Sequence, residues 1–118
     1  MFRGRVPYSL HAALELLTAT ALIAVPFAIG LSIDAMITAA AVGIVLMGLA
    51  VSATDTDGRG TLPISAHATY DAAIALVLVG SAVVFGFAGD IPALLFLLAA
   101  GIAQLTLNGL TRYSPSRV

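Results

Sequence analysis

The chain has 118 residues, of which 60% are hydrophobic and 9% charged, with a net charge of −1. A soluble domain carries roughly a quarter charged residues, because a small body has a large surface to keep wet; five Arg and six acids cannot cover it, so most of this chain must face lipid or other helices. With no Lys and only scattered Arg there is no basic face for nucleic acid, and without Cys there is no disulfide, thiolate metal site or Cys nucleophile.

The charges punctuate four apolar runs: Leu16 to Ile33 (18 residues), Ala35 to Thr54 (20), Ala72 to Gly89 (18) and Ile91 to Thr111 (21). A helix needs about 20 residues to cross the hydrocarbon of a bilayer. The runs are rich in Ala and Leu and lack two-residue alternation, so helix is expected rather than strand. The fold class is therefore all-α: four transmembrane helices in a single domain.

The first helix is predicted over residues 9–30. Met1-Phe2-Arg3-Gly4-Arg5 before it permits a cleaved signal peptide, a reading set aside because Glu15 interrupts the apolar run. Pro26 is expected to kink the helix, since it removes one backbone hydrogen bond. A tight turn, Leu31-Ser32-Ile33, leads into a second helix over 34–53 with Asp34 as its expected cap. There Ala35, Ala39 and Gly43 recur every four positions and let another helix approach closely, either one of the same chain or one of a second subunit. The polar stretch 55–63 is the only candidate linker. Its Asp55, Asp57 and Gly58 faintly suggest a calcium loop, but the later ligands are missing, so a solvated turn is expected. The third helix is predicted over 66–87; Ala88-Gly89-Asp90 turns into the fourth over 91–111, with Asp90 as cap and Pro92 in its first turn. Tyr113-Ser114-Pro115-Ser116 is a short polar tail.

With four spans, the N-terminus, the middle loop and the C-terminus share one side. That side holds all five Arg, so the positive-inside rule makes both termini of a cell-membrane protein cytoplasmic.

The sequence also matches itself at an offset of 56 to 58 residues. Pro7-Tyr8-Ser9-Leu10-His11-Ala12 returns as Pro63-Ile64-Ser65-Ala66-His67-Ala68, and each His is followed four residues later by an acid, Glu15 or Asp71. Val25-Pro26-Phe27 pairs with Val83-Val84-Phe85 and Gly43-Ile44 with Gly101-Ile102, which places a two-residue insertion within the third helix. The expected architecture is a duplicated two-helix hairpin (about 7–54 and 63–112), both copies starting on the same side as a parallel repeat. Val25-Pro26-Phe27-Ala28-Ile29-Gly30 and Phe85-Gly86-Phe87 resemble the SPW-repeat family of small membrane proteins, with Val in place of the Ser and Phe in place of the Trp of its motif. The resemblance implies two-helix repeats and no particular activity.

Residues four apart share a helix face, so His11 points with Glu15 and His67 with Asp71. Gln104 and Asn108 fall at a similar depth on the fourth helix, and Thr18 lies one turn below Glu15. Acids inside a membrane are costly unless paired or wet. One account is structural, with the polar groups acting as glue that fixes hairpin packing. A second makes His11, Glu15, His67 and Asp71 the ligands of zinc, manganese or iron; a third has His11 and His67 hold a haem; a fourth has Glu15 and Asp71 handle protons or other ions. No Gly-x-Ser-x-Gly, phosphate loop or His-Glu-x-x-His is present. The leading expectation is a non-enzymatic accessory, packing or assembly component of a membrane complex or homo-oligomer. The alternative is a membrane protein binding a metal ion or haem, and the third a transporter.

Overall fold

The computed structural model describes residues 6–52 and 63–111. Four helices fill almost all of them: α1 (Tyr8–Ile29), α2 (Ile33–Ser52), α3 (Ile64–Phe87) and α4 (Ile91–Leu110). Their bounds lie within two residues of those expected from the apolar runs, and all four helices are long and apolar enough to cross a membrane. The five Arg, the candidate calcium loop and the polar tail lie outside the described residues.

α1 packs along α2, and α3 along α4, as two antiparallel hairpins; α1 also touches α4, and α2 touches α3, through fewer neighbours. The helices thus form a ring in which α1 and α3 run parallel across a diagonal. The bundle is small inside and bulky outside. Ala19, Ala35, Ala39, Ala75, Ala82 and Ala93 are fully buried, whereas Leu17, Phe27, Ile37, Leu76, Val84 and Leu95 face outward. That is the arrangement expected when lipid solvates the outer side chains and packing must come from close backbones.

Glycine makes each hairpin close. A Cβ on Gly43 would lie 2.9 Å from the Ala19 carbonyl oxygen and 2.9 Å from Ile23 Cγ1, and one on Gly101 would lie 2.8 Å from Val79 Cγ2 and 3.3 Å from Leu78 Cβ. The small-residue face of α2 is therefore occupied within the chain: Gly43 lies against α1, Ala39 is in the main core, and Ala35 packs with Leu31 and α4's Ala93.

The two turns differ from expectation in one respect. Asp90 caps α4, accepting from Ala93 N at 3.2 Å, but α2 is capped by Ser32, whose Oγ accepts from Ala35 N at 3.2 Å. Asp34 sits one residue inside the helix and is exposed, where its charge meets only the dipole. Ser32 Oγ in turn donates to Asp90 Oδ2 at 2.7 Å and ties the two tips together. α1 runs unbroken through the buried Pro26.

Buried positions match between the hairpins at two offsets. His11, Ala12, Glu15, Ala19, Leu22 and Pro26 of α1 stand 56 residues before His67, Ala68, Asp71, Ala75, Leu78 and Ala82, all buried except the half-buried Ala68. Ala35, Ala39, Gly43 and Leu46 stand 58 before Ala93, Leu97, Gly101 and Gln104. By burial Pro26 matches Ala82 rather than the exposed Val84.

Replacing Gly43 by Leu should destabilise the bundle by about 1–3 kcal/mol or more through overpacking against α1, whereas Gly80→Leu, which meets open space, should cost far less. Unfolding of the two variants in detergent, followed by circular dichroism, checks this difference.

A candidate metal centre

Proline sets where α1 and α3 begin, and that sets where the polar residues land. The carbonyls of Pro7 and Pro63 accept the first helical hydrogen bonds, from His11 N and His67 N, each at 2.9 Å. Proline suits this place because its missing N–H would have no helical partner there. One turn further on, Glu15 and Asp71 share the face of their His. α1 and α3 start at the same end and turn these faces toward one another, so the four side chains meet on the diagonal, all fully buried.

The four groups alternate around a square. His11 Nε2 lies 3.0 Å from Glu15 Oε2 and 2.8 Å from Asp71 Oδ2, and His67 Nε2 lies 2.9 Å from Glu15 Oε1 and 3.3 Å from Asp71 Oδ2. Glu15 thus reaches both imidazoles with separate oxygens, while the shorter Asp71 uses one. One donor atom from each residue fits within 4.8 Å of all the others.

Thr111 fixes the tautomer of His11. Its Oγ1 lies 2.5 Å from the Leu107 carbonyl oxygen, a distance two oxygens hold only with the hydroxyl proton between them. With that proton used, Thr111 Oγ1 can only accept, and His11 Nδ1–H donates to it at 2.6 Å. A neutral His11 would then direct the Nε2 lone pair at two carboxylate oxygens. That lone pair calls for a proton, from the ring or from a carboxyl group, or for a metal ion. Fixing one ring nitrogen so that the other faces a metal is a common outer-shell arrangement.

The surroundings add a polar arm from α4. Gln104 Nε2 donates to Glu15 Oε2 at 3.1 Å and to Asn108 Oδ1 at 2.9 Å, which uses both amide hydrogens and fixes the orientation of the group. Its Oε1 is buried without a hydrogen-bond partner among the described residues, as is His67 Nδ1. Tyr8 closes the end, its ring nearly parallel to His11 at 6.3 Å and edge-on to His67 at 5.3 Å. Val6 N donates to Leu110 O at 2.9 Å and holds the segment before Tyr8 against α4.

Of the residues singled out in the sequence, His11, Glu15, His67, Asp71, Gln104 and Asn108 come together, and Thr18 does not. The Thr18 hydroxyl donates to the Leu14 carbonyl at 3.1 Å, bonding its own helix as a short hydroxyl in mid-helix commonly does. Haem does not fit. The two imidazole rings lie 5.7 Å apart at 75°, with both carboxylates lodged against their Nε2 atoms, so no porphyrin plane can pass between them. Tyr8 and Thr111 were missed, although spacing held a signal for each: Tyr8 is three residues before His11, and Thr111 is three after Asn108 and seven after Gln104.

Compared with known proteins, the chain matches no family model, no curated protein and no solved structure.

Thr111→Val keeps the shape and removes the acceptor, leaving the Nδ1–H of His11 buried and unbonded. This should cost about 1–3 kcal/mol, and Thr111→Ser should restore most of it; thermal unfolding of the three proteins in one detergent provides the comparison.

Proposed function

We propose that this chain is a multi-pass membrane protein that binds one divalent first-row transition-metal ion through His11, Glu15, His67 and Asp71. What carries this reading is the convergence of two imidazole nitrogens and two carboxyl groups, all shut away from solvent, with one donor atom of each within 4.8 Å of all the others. Tetrahedral bonds of about 2.0–2.1 Å place neighbouring ligand atoms about 3.3 Å apart. The four sides of the square, at 2.8–3.3 Å, lie close to that separation, and with every donor atom within 4.8 Å of the others the diagonals need to shorten for an ion to be held tetrahedrally. Two carboxylates balance a divalent ion, and the mixed nitrogen and oxygen set suits zinc, manganese or iron rather than the thiolate-loving ions.

The bias of arginine supports a cytoplasmic place for both termini, and therefore for the end of the bundle where the cluster lies. The matched buried positions and the motifs shared by the halves support a duplicated hairpin, in keeping with the resemblance to SPW-repeat proteins. In that case each copy supplies one His and one acid, and neither holds the ion alone.

A second reading keeps the same four residues with protons in place of the ion. Two imidazolium rings neutralise two carboxylates, and the square is then polar glue in an accessory or assembly component of a membrane complex.

Purified protein should carry one equivalent of metal, and His11→Ala and His67→Ala should carry none. Chelation should lower stability by about 2.7 kcal/mol when free metal had stood at 100 times its Kd. A stably folded wild type that takes up no zinc, manganese, iron or cobalt leaves only the second reading. Because the chain has no native Cys, single introduced cysteines report orientation. A membrane-impermeant maleimide added outside cells should label Ala88→Cys and leave Ser65→Cys untouched; the reverse pattern overturns the assignment of sides.

A further inference from the structure

Counted by residue the centre is a square; counted by atom it is a ring of five. Glu15 sets Oε2 3.0 Å from His11 Nε2 and Oε1 2.9 Å from His67 Nε2, so both of its oxygens lie on the ring. Asp71 closes the circuit with Oδ2 alone, 2.8 Å from His11 Nε2 and 3.3 Å from His67 Nε2. The two acids hold matched places, and the extra methylene of Glu15 is what lets its carboxyl group span both imidazoles.

Two nitrogens and three oxygens therefore line one interior. A carboxylate that binds through both oxygens belongs to ions that take more than four donors. Five donors spaced in this way also surround a wider hole than four, and suit longer bonds than the roughly 2.0–2.1 Å of tetrahedral zinc. A sixth donor stands beside the ring. Gln104 Nε2 lies 3.1 Å from Glu15 Oε2, while Oε1 of the same amide has no hydrogen-bond partner among the described residues, in a residue only 1% exposed. A carbonyl oxygen desolvated in that way is costly unless something positive uses it. Half a turn of the amide exchanges its two ends and brings Oε1 to the place beside Glu15 that Nε2 now holds, close enough to share an ion. Packing alone does not demand a polar side chain here, since the matched place on α2 holds the buried Leu46.

We infer that the centre is built for a divalent ion of five or six ligands, Mn2+ or Fe2+ rather than Zn2+, with Glu15 binding through both oxygens and Gln104 Oε1 completing the set; this rests on the metal reading above. His11, His67 and Asp71 hold the ion, and Glu15 and Gln104 set how many donors it meets. The donor types agree, since imidazole suits iron, and carboxylate and carbonyl oxygens suit manganese. Zinc almost always takes four protein ligands in a closed site, so the additional oxygens strengthen manganese and iron binding more than zinc binding. That offsets part of the higher affinity that nitrogen and oxygen sites give zinc over both ions.

The test loads metal-free full-length protein in detergent with Co2+, whose visible absorption is weak with five or six ligands and intense with four. Mn2+ and Zn2+ are then titrated in competition, and the ratio of their Kd values is compared between wild type and two variants. Glu15→Asp shortens the acid so that it offers one oxygen, as Asp71 does; Gln104→Leu copies the residue at the matched place on α2 and decides alone if Glu15→Asp compromises folding. Wild type should give the weak cobalt spectrum, and each variant should raise the Kd for Mn2+ by about tenfold while changing that for Zn2+ much less. An intense four-ligand spectrum in wild type overturns the inference. So does an unchanged ratio in Gln104→Leu, which makes Gln104 a mere support of Glu15. A wild type that binds none of the three ions removes the centre itself, an outcome separate from failure of the ligand count.

Discussion

Two carboxylates and two imidazoles are packed into a space that water does not reach, in a bundle whose outer surface is hydrocarbon-like. Polar and charged groups taken out of water without compensation cost several kcal/mol each, so this end of the molecule folds only if these groups find partners at contact distance. That requirement explains much of the local design. Both helices begin at a proline four residues before a histidine, both histidines turn Nε2 toward the diagonal, and Thr111 holds one ring by its far nitrogen. The chemistry of the site and the stability of this end of the bundle are the same interaction.

The rest of the bundle divides its work by position. Within each hairpin, backbones touch at a glycine, with Gly43 on α1 and Gly101 on α3, so dispersion over a close contact holds the pair. Between hairpins the contacts are sparser and the polar ties sit at the two ends, the square of His and acid side chains at one and Ser32 with Asp90 at the other. Leu22, Leu46, Leu78 and Leu97 fill the middle.

Much of this was legible in the amino-acid order. Interruption of apolar runs by acids and Arg located the four helices to within two residues, because span length is dictated by bilayer thickness rather than by tertiary detail. Four-residue spacing placed His11 with Glu15, His67 with Asp71 and Gln104 with Asn108 for an equally local reason. What spacing does not give is the rotation of one helix about its axis relative to its neighbours. Thr18 was expected in the cluster on depth alone, yet its hydroxyl bonds its own helix. Tyr8 and Thr111 share the faces of His11 and Asn108 but lie at helix ends, where the chain path decides whether a side chain folds over the site. Asp34 was expected as a cap because it stands at the start of the second helix, where a carboxylate also meets the dipole; the turn places Ser32 at the boundary instead. Haem was excluded only by seeing the carboxylates between the rings.

The tie between the tips also bears on which hairpin pairs with which. Ser32 and Asp90 occupy matched places 58 residues apart, yet one is a donor and the other an anion. Two first hairpins brought together would present hydroxyl to hydroxyl, and two second hairpins would set carboxylate against carboxylate, which repel. Only unlike halves join the hydroxyl to the carboxylate. The tips thereby discriminate against self-pairing of the second hairpin, at the cost of a single side-chain difference.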